Sequence, residues 1–180
     1  LALGAPFDRV LDLGTGSGCI LVTLLAERPD ATGVGADLSE TACLQASANA
    51  VLHEVAGRAE IIQSDWFEAV AGRFDLIVSN PPYISLKDYS ALMVDVRDFE
   101  PRIALTDEGD GLSVYRLLCA QAGPYLKESG QLMVEIGYDQ GAPVQVIFQE
   151  NGFTEIKCIQ DIEGRDRVVR GIWRGENAAD

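Results

Sequence analysis

Histidine, paired cysteines and positive charge are what this sequence has little of. Its one histidine, His53, and its four cysteines, Cys19, Cys43, Cys119 and Cys158, are scattered with no CxxC pair, which excludes the ligand spacing of a zinc site. Reduced thiols in the core are the expected state, and no metal is expected. Lys plus Arg number 14 against 28 Asp plus Glu, and the net charge of -14 repels a phosphate backbone, so no direct binding to long nucleic acid is expected. Apolar runs are too short to cross a bilayer, and the first residues lack the basic, apolar and small-residue succession of a signal peptide. No membrane partner is expected, and the chain reads as soluble and cytoplasmic. Internal repeats and low-complexity segments are absent as well.

What is present is a globular composition, 47% hydrophobic and 23% charged over 180 residues, enough for one core without disulfide or metal. Short β-rich runs alternate with helical ones, the pattern of a mainly parallel sheet covered on both faces. Arg9 to Leu13 reads as a buried strand, followed by a glycine turn and a helix from about Cys19 to Arg28 that Pro29 stops. Thr32 to Ala36 is the next strand, and Ser39 caps a helix carrying Leu44, Ala48 and Val51 on one face. Strands follow at Ala59 to Gln63 and Phe74 to Ser79, then a long proline-containing loop over residues 80–110. A helix from about Leu112 to Leu126, a strand Gln131 to Ile136 and a helix ended by Asn151 and Gly152 lead to a final pair, Phe153 to Gln160 and Arg167 to Trp173. The turn Glu163 to Asp166 is so short that this pair must be antiparallel. The expectation is an α/β fold with about five parallel strands and a C-terminal antiparallel hairpin.

Two segments carry chemistry. Asp12-Leu13-Gly14-Thr15-Gly16-Ser17-Gly18 joins the first strand to the first helix, at the carboxyl edge where open α/β sheets bind ligands. Nineteen residues after Gly18, Asp37 ends the second strand, where a carboxylate can accept from both ribose hydroxyls of an adenosine-containing cofactor. The pattern admits a nicotinamide dinucleotide or S-adenosylmethionine. Cys19 in place of the third glycine, and an acid, Asp12, before the turn, favour the cationic S-adenosylmethionine over a pyrophosphate. After the third strand, Asp65 can accept from an adenine amino group; Trp66 can lie against the purine or belong to the core, and Phe67 reads as core.

The second segment, Asn80-Pro81-Pro82-Tyr83, leaves the fourth strand at the same edge. The Asn80 amide oxygen and the Pro81 carbonyl can accept the two hydrogens of an NH2 group. Pro81 and Pro82 stiffen the backbone that carries them, and Tyr83 offers a flat face for stacking. The set suits methylation of a planar amide or amino nitrogen.

With these residues in hand, the chain resembles the HemK/PrmC family of release factor glutamine methyltransferases over about residues 7–174. The resemblance is carried by VLDLGTGSG at Val10 to Gly18, SDWF at Ser64 to Phe67, SNPPYI at Ser79 to Ile84, FEPRIAL at Phe99 to Leu105 and DGLSVYR at Asp110 to Arg116. It implies a Rossmann-like class I methyltransferase domain spanning residues 1–180. It further implies transfer from S-adenosylmethionine, leaving S-adenosylhomocysteine, to N5 of the glutamine in the Gly-Gly-Gln loop of a peptide-chain release factor. By the same resemblance Gly14, Thr15, Gly16, Ser17, Gly18, Asp37, Trp66 and Asn80 contact the cofactor, with Asp12 and Asp65 added to that site by the residue chemistry above, and Asn80 to Tyr83 hold the glutamine. Glu100 and Arg102 either touch substrate or steady the loop through an ion pair or cap. The family's N-terminal helical docking domain is not among these residues. Two other readings stand beside this one: an N-methyltransferase of exocyclic amines in RNA or DNA, which shares the Asn80 to Tyr83 pattern, and a non-catalytic cofactor-binding subunit, against which intact Asp37 and Asn80 argue.

Overall fold

The computed structural model describes residues 2–89 and 102–175. Its elements are β1 (Arg9–Leu13), α1 (Cys19–Glu27), β2 (Thr32–Asp37), α2 (Glu40–Leu52), β3 (Ala59–Gln63), β4 (Phe74–Ser79), the short α3 (Leu86–Tyr89) and α4 (Arg102–Leu105), α5 (Ser113–Ala122), β5 (Leu126–Glu135), α6 (Gly141–Glu150), β6 (Phe153–Gln160) and β7 (Asp166–Trp173). They form one seven-stranded sheet in the order β3-β2-β1-β4-β5-β7-β6. The first five strands in sequence are parallel, and β7 runs antiparallel between β5 and β6. This is the class I methyltransferase arrangement.

Strand alternation sends side chains to two faces, each closed by helices. On one face Leu11, Leu13, Ile77, Leu132 and Val134 pack with Tyr115 and Leu118 of α5 and Val144 and Phe148 of α6. On the other, Val10, Leu76, Val78 and Met133 meet Leu21, Leu24 and Leu25 of α1 and Ala50 of α2. Chain order reverses between β3, at the sheet edge, and β4, beside β1, so the carboxyl ends of β1 and β4 lie side by side.

Several expectations need correction. Ser39 caps α2 as read, accepting from the Ala42 N–H, but Ala46 and Ala50 are the buried residues of the helix. Leu44, Ala48 and Val51 face solvent, Leu44 at 65% exposure. Small alanines let α2 approach the turn closely: a Cβ placed on Gly18 would lie 3.1 Å from that of Ala46. The helix expected to reach Leu126 ends at Ala122, followed by a 3-10 turn through Gly123-Pro124-Tyr125, and β5 starts five residues early, at Leu126, with an irregularity in its pairing to β4. The loop over 80–110 contains α3, α4 and an isolated bridge between Ile84 and Thr106; residues 90–101 of it lie outside the described residues. All four cysteines are unpaired as expected, yet only Cys119 is a core residue, Cys19 being exposed.

Candidate active site

Gly14, Gly16 and Gly18 all take the left-handed conformation, φ +67°, +56° and +78°, which glycine adopts at no steric cost. The N–H groups of Gly14 and Thr15 donate to the Ala36 carbonyl at 2.8 and 3.0 Å, tying the turn after β1 to the end of β2. Asp37 extends that tie. Its Oδ2 accepts from the Gly16 N–H at 2.8 Å and its Oδ1 from the Ser39 N–H at 2.9 Å. Each carboxylate oxygen keeps a further lone pair, so Asp37 can shape the turn and still accept from a ligand. Ser17 is exposed, and its carbonyl accepts from Asn49 of α2 at 2.8 Å.

Asp12 lies beneath this turn, 1% exposed. Its Oδ2 accepts from the Thr15 hydroxyl at 2.7 Å and from the Leu21 N–H in the first turn of α1 at 3.2 Å. Its Oδ1 is buried without a hydrogen-bond partner, the one such side-chain atom among the described residues. Burial pushes the Asp12 carboxyl up to about 7; the bonds from Thr15 and Leu21 pull the other way, and the charge of Asp37 adds to the rise. A buried acid poised near neutrality is a common mark of a functional site.

Trp66 is brought to the same place. Its backbone is left-handed, φ +47°, held where the Ser64 hydroxyl donates to the Trp66 carbonyl and accepts from the Ala69 N–H. The indole ring lies over the first glycine of the turn, 3.7 Å from where a Cβ on Gly14 would stand, while also packing on the core. Phe67 is core as expected, 2% exposed and stacked on Tyr125 at 4.7 Å between ring centres. Asp65 is exposed at the end of β3.

Across the β1–β4 seam the Ser79 hydroxyl donates to the Leu13 carbonyl at 2.8 Å, locking the last residue of β4 to the last of β1. Asn80 follows at once and is exposed; Pro81 is buried; Pro82 and Tyr83 are half-buried. The glycine turn and the Asn80 segment therefore leave adjacent strands at one edge. Sequence reasoning did not single out Ser79 for this tie, nor Gln140, which binds the Tyr83 carbonyl at 2.9 Å. A serine at a strand end and a glutamine before a helix carry no spacing signal that would have marked them.

Of the two residues left with alternative roles, Arg102 makes a bidentate pair with Glu108, its Nε donating to Oε1 and its Nη2 to Oε2 at 2.7 Å, and stacks over the Tyr89 ring at 5.0 Å. An ion pair is thus formed at Arg102, within the described part of the loop. Glu100 lies outside the described residues. Among the described residues no group of histidine, cysteine and acidic side chains is arranged to hold a metal.

Comparison with known proteins agrees with this geometry. The pattern of the methyltransferase small domain family matches residues 2–96. A release factor glutamine methyltransferase of Cereibacter sphaeroides is 49% identical over 168 residues, 93% of this chain and 60% of that protein. One of Agrobacterium fabrum is 46% identical over 161 residues, 89% of this chain and 56% of that protein. The chain thus spans about three-fifths of the length of these curated relatives. Among solved structures, an RNA methyltransferase of Salinibacter ruber in complex with S-adenosyl-L-homocysteine shares the fold at a TM-score of 0.62 and 20% identity, covering 96% of this chain and 85% of that one. Fold, edge placement of the glycine turn and sequence pattern agree: this chain belongs to the methyltransferase small domain family.

Proposed function

We propose that the chain transfers a methyl group from S-adenosylmethionine to the side-chain amide nitrogen of a glutamine, that of the Gly-Gly-Gln loop of a peptide-chain release factor. The observation that carries the reading is the juxtaposition of the Asn80 to Tyr83 segment with the glycine turn across the Ser79–Leu13 tie. The identity of 46–49% to release factor glutamine methyltransferases supports the choice of acceptor.

The residues suit the cofactor on their own chemistry. Asp12 has a buried oxygen with no partner, the kind of acceptor a cationic ligand completes. Asp37, at the end of β2, retains acceptor capacity for ribose hydroxyls, Trp66 offers its ring beside the turn, and Asp65 is available to an adenine amino group. When bound, S-adenosylmethionine supplies an electrophilic methyl group.

The remaining work belongs to the chain. An amide nitrogen is a weak nucleophile because its lone pair is delocalised into the carbonyl. The Asn80 amide oxygen and the Pro81 carbonyl accept the two N–H bonds of the glutamine and hold the nitrogen so that its lone pair points toward the methyl carbon. Tyr83 stacks on the planar amide, and the two prolines keep the acceptors in place before substrate arrives. With the methyl group passing from sulfonium sulfur to nitrogen and S-adenosylhomocysteine as the leaving group, the nitrogen would become acidic, so its proton would leave to water after transfer and no strong base is needed beforehand. Rate enhancement comes from orientation and preorganised hydrogen bonds.

The test is incubation with isotopically labelled S-adenosylmethionine and, in parallel, release factor, tRNA and DNA, with the label located by mass spectrometry. Label on the glutamine of the Gly-Gly-Gln loop supports the proposal. Label on a base in preference to the release factor, or none on any acceptor, would sink it.

A further inference from the structure

The carboxamide of Gln140, the residue before α6, uses its full hydrogen-bonding capacity on four partners. Its Nε2 donates to the Tyr83 carbonyl at 2.9 Å and to the Gly111 carbonyl at 3.1 Å. Its Oε1 accepts from the Gly137 N–H at 2.9 Å and from the Tyr115 hydroxyl at 3.2 Å. One side chain thus fastens the residue that ends the Asn80 to Tyr83 segment to the 107–113 turn and to the chain leaving β5. The parts it joins are themselves secured. The Tyr115 hydroxyl also stands 3.0 Å from the Glu135 carbonyl, and its single hydrogen is shared between that carbonyl and Gln140 Oε1. Asp107 accepts from the N–H groups of Gly109, Gly111 and Ser113 and from the Ser113 hydroxyl; these bonds outweigh burial and hold its carboxyl below the usual range. The Ile84 N–H donates to the Leu105 carbonyl and the Leu86 N–H to the Gly109 carbonyl, so residues 83–86 lie along the same turn. The fit leaves no slack at Gly111: at its φ of +78°, a Cβ would come within 2.5 Å of the Tyr83 carbonyl oxygen and 2.9 Å of Gln140 Nε2.

We propose that Gln140 is a positioning residue for methyl transfer: by fixing the Tyr83 carbonyl against the 107–113 turn and the end of β5, it sets the placement of Asn80 to Tyr83 around the acceptor nitrogen. It acts through Tyr83 and lies apart from the hydrogen bonds that tie the glycine turn to β2 and Asp37. The inference rests on the acceptor site proposed above. Gly111 and Tyr115, both of the DGLSVYR block, are thereby joined to the Asn80 segment through one side chain.

The test compares wild type with Gln140→Leu, Gln140→Glu and Gly111→Ala by thermal melting, calorimetric affinity for S-adenosylmethionine, steady-state kinetics with release factor, and backbone hydrogen exchange read by mass spectrometry. Gln140→Leu should raise exchange at Ile84 and Leu86 while leaving residues 10–25 unchanged. It should lower kcat/KM for the acceptor by about 30-fold or more, with cofactor affinity within about twofold of wild type, on the scale of a lost positioning contact. In Gln140→Glu a carboxylate opposes two carbonyl oxygens, and a protonated carboxyl donates again. Its activity relative to wild type should therefore climb as pH falls, at a temperature where melting shows both proteins fully folded across the pH range. Gly111→Ala should reproduce the exchange and kinetic changes with Gln140 intact. Unchanged exchange at Ile84 and Leu86, or raised exchange with normal kcat and KM in folded Gln140→Leu, overturns the proposal. If wild type leaves the release factor unlabelled, the acceptor reading fails by itself. The exchange data then still decide the fastening, and the kinetics move to whichever acceptor carries label.

Discussion

Replacing Asp12 by Asn should flatten the dependence of stability on pH. In the folded chain the Asp12 carboxyl is raised from its ordinary 3.8 to about 7, with burial as the leading cause. Between those values the folded state holds a proton that the unfolded state has released, so stability falls as pH rises from about 4 and levels off above about 7. At about 1.4 kcal/mol for each pH unit the whole window is worth a few kcal/mol, on the order of 2 to 3 kcal/mol of it between pH 5 and pH 8. Asn at this position keeps an acceptor for the Thr15 hydroxyl and the Leu21 N–H and cannot ionise. Its amide NH2 is buried where Oδ1 lacked a partner, which costs about 1–3 kcal/mol at every pH and cancels from the comparison of slopes. Urea unfolding at pH 5 and pH 8 should show wild type losing about 2 to 3 kcal/mol more than Asp12→Asn. Parallel pH profiles for the two proteins would refute the reasoning. Cofactor binding gives a second reading of the same proton. If the ionised carboxylate meets a cation, binding at pH 6 releases close to one proton in wild type, measured by calorimetry in buffers of different ionisation enthalpy, and none from this site in the variant.

Asn80→Ala, a change at an exposed position, should leave the thermal midpoint near wild type and lower kcat about a hundredfold or more at saturating cofactor and release factor; a folded variant with normal turnover would remove Asn80 from the chemistry. Asp37→Ala should weaken cofactor binding by about 1.5–3 kcal/mol by calorimetry and also lower the melting temperature, because Gly16 and Ser39 lose their acceptor. Arg102→Ala should leave the chemical-unfolding midpoint close to wild type, since both partners of its ion pair are more than half exposed and screened by solvent. Productive association with release factor should slow as salt rises, given the net charge of -14, and methylation of naked RNA faster than release factor would contradict that charge argument.

The sheet was legible where its strands are compact apolar runs or alternating segments ended by turn residues, and β1, β3, β4 and β6 have the bounds the sequence predicts. Local pattern could not reveal that β7, last in the chain, inserts between β5 and β6, since register over such distances depends on packing of both faces. At α2 it gave the helix, its cap and the stripe of Leu44, Ala48 and Val51, but not which face packs. Leu44, Ala48 and Val51 make the more hydrophobic stripe, but only the alanine stripe, Ala46 and Ala50, is slim enough to lie against the glycine turn. Bulk lost to closeness of approach. In the site, residues with motif spacing were readable: the glycines, Asp37, Trp66 and the Asn80 segment. Gln140 and Ser79 were not, because their roles are set by backbone carbonyls 57 and 66 residues away.

The pairing of β1 with β4 has a consequence for the order in which the molecule forms. Strands β1, β2 and β3 are successive neighbours and can assemble with short crossovers, whereas β4 must return past both to the far side of β1. The Ser79–Leu13 bond closes a span of 66 residues, and such non-local parallel pairing is slow because chain entropy is lost before any contact repays it. An early species with β1, β2 and β3 in place would already contain the glycine turn and Asp37. Competence to grasp an adenosine ligand would then precede competence to receive an acceptor, and ligand added during refolding would meet a half-built enzyme that it can stabilise before the last strands arrive.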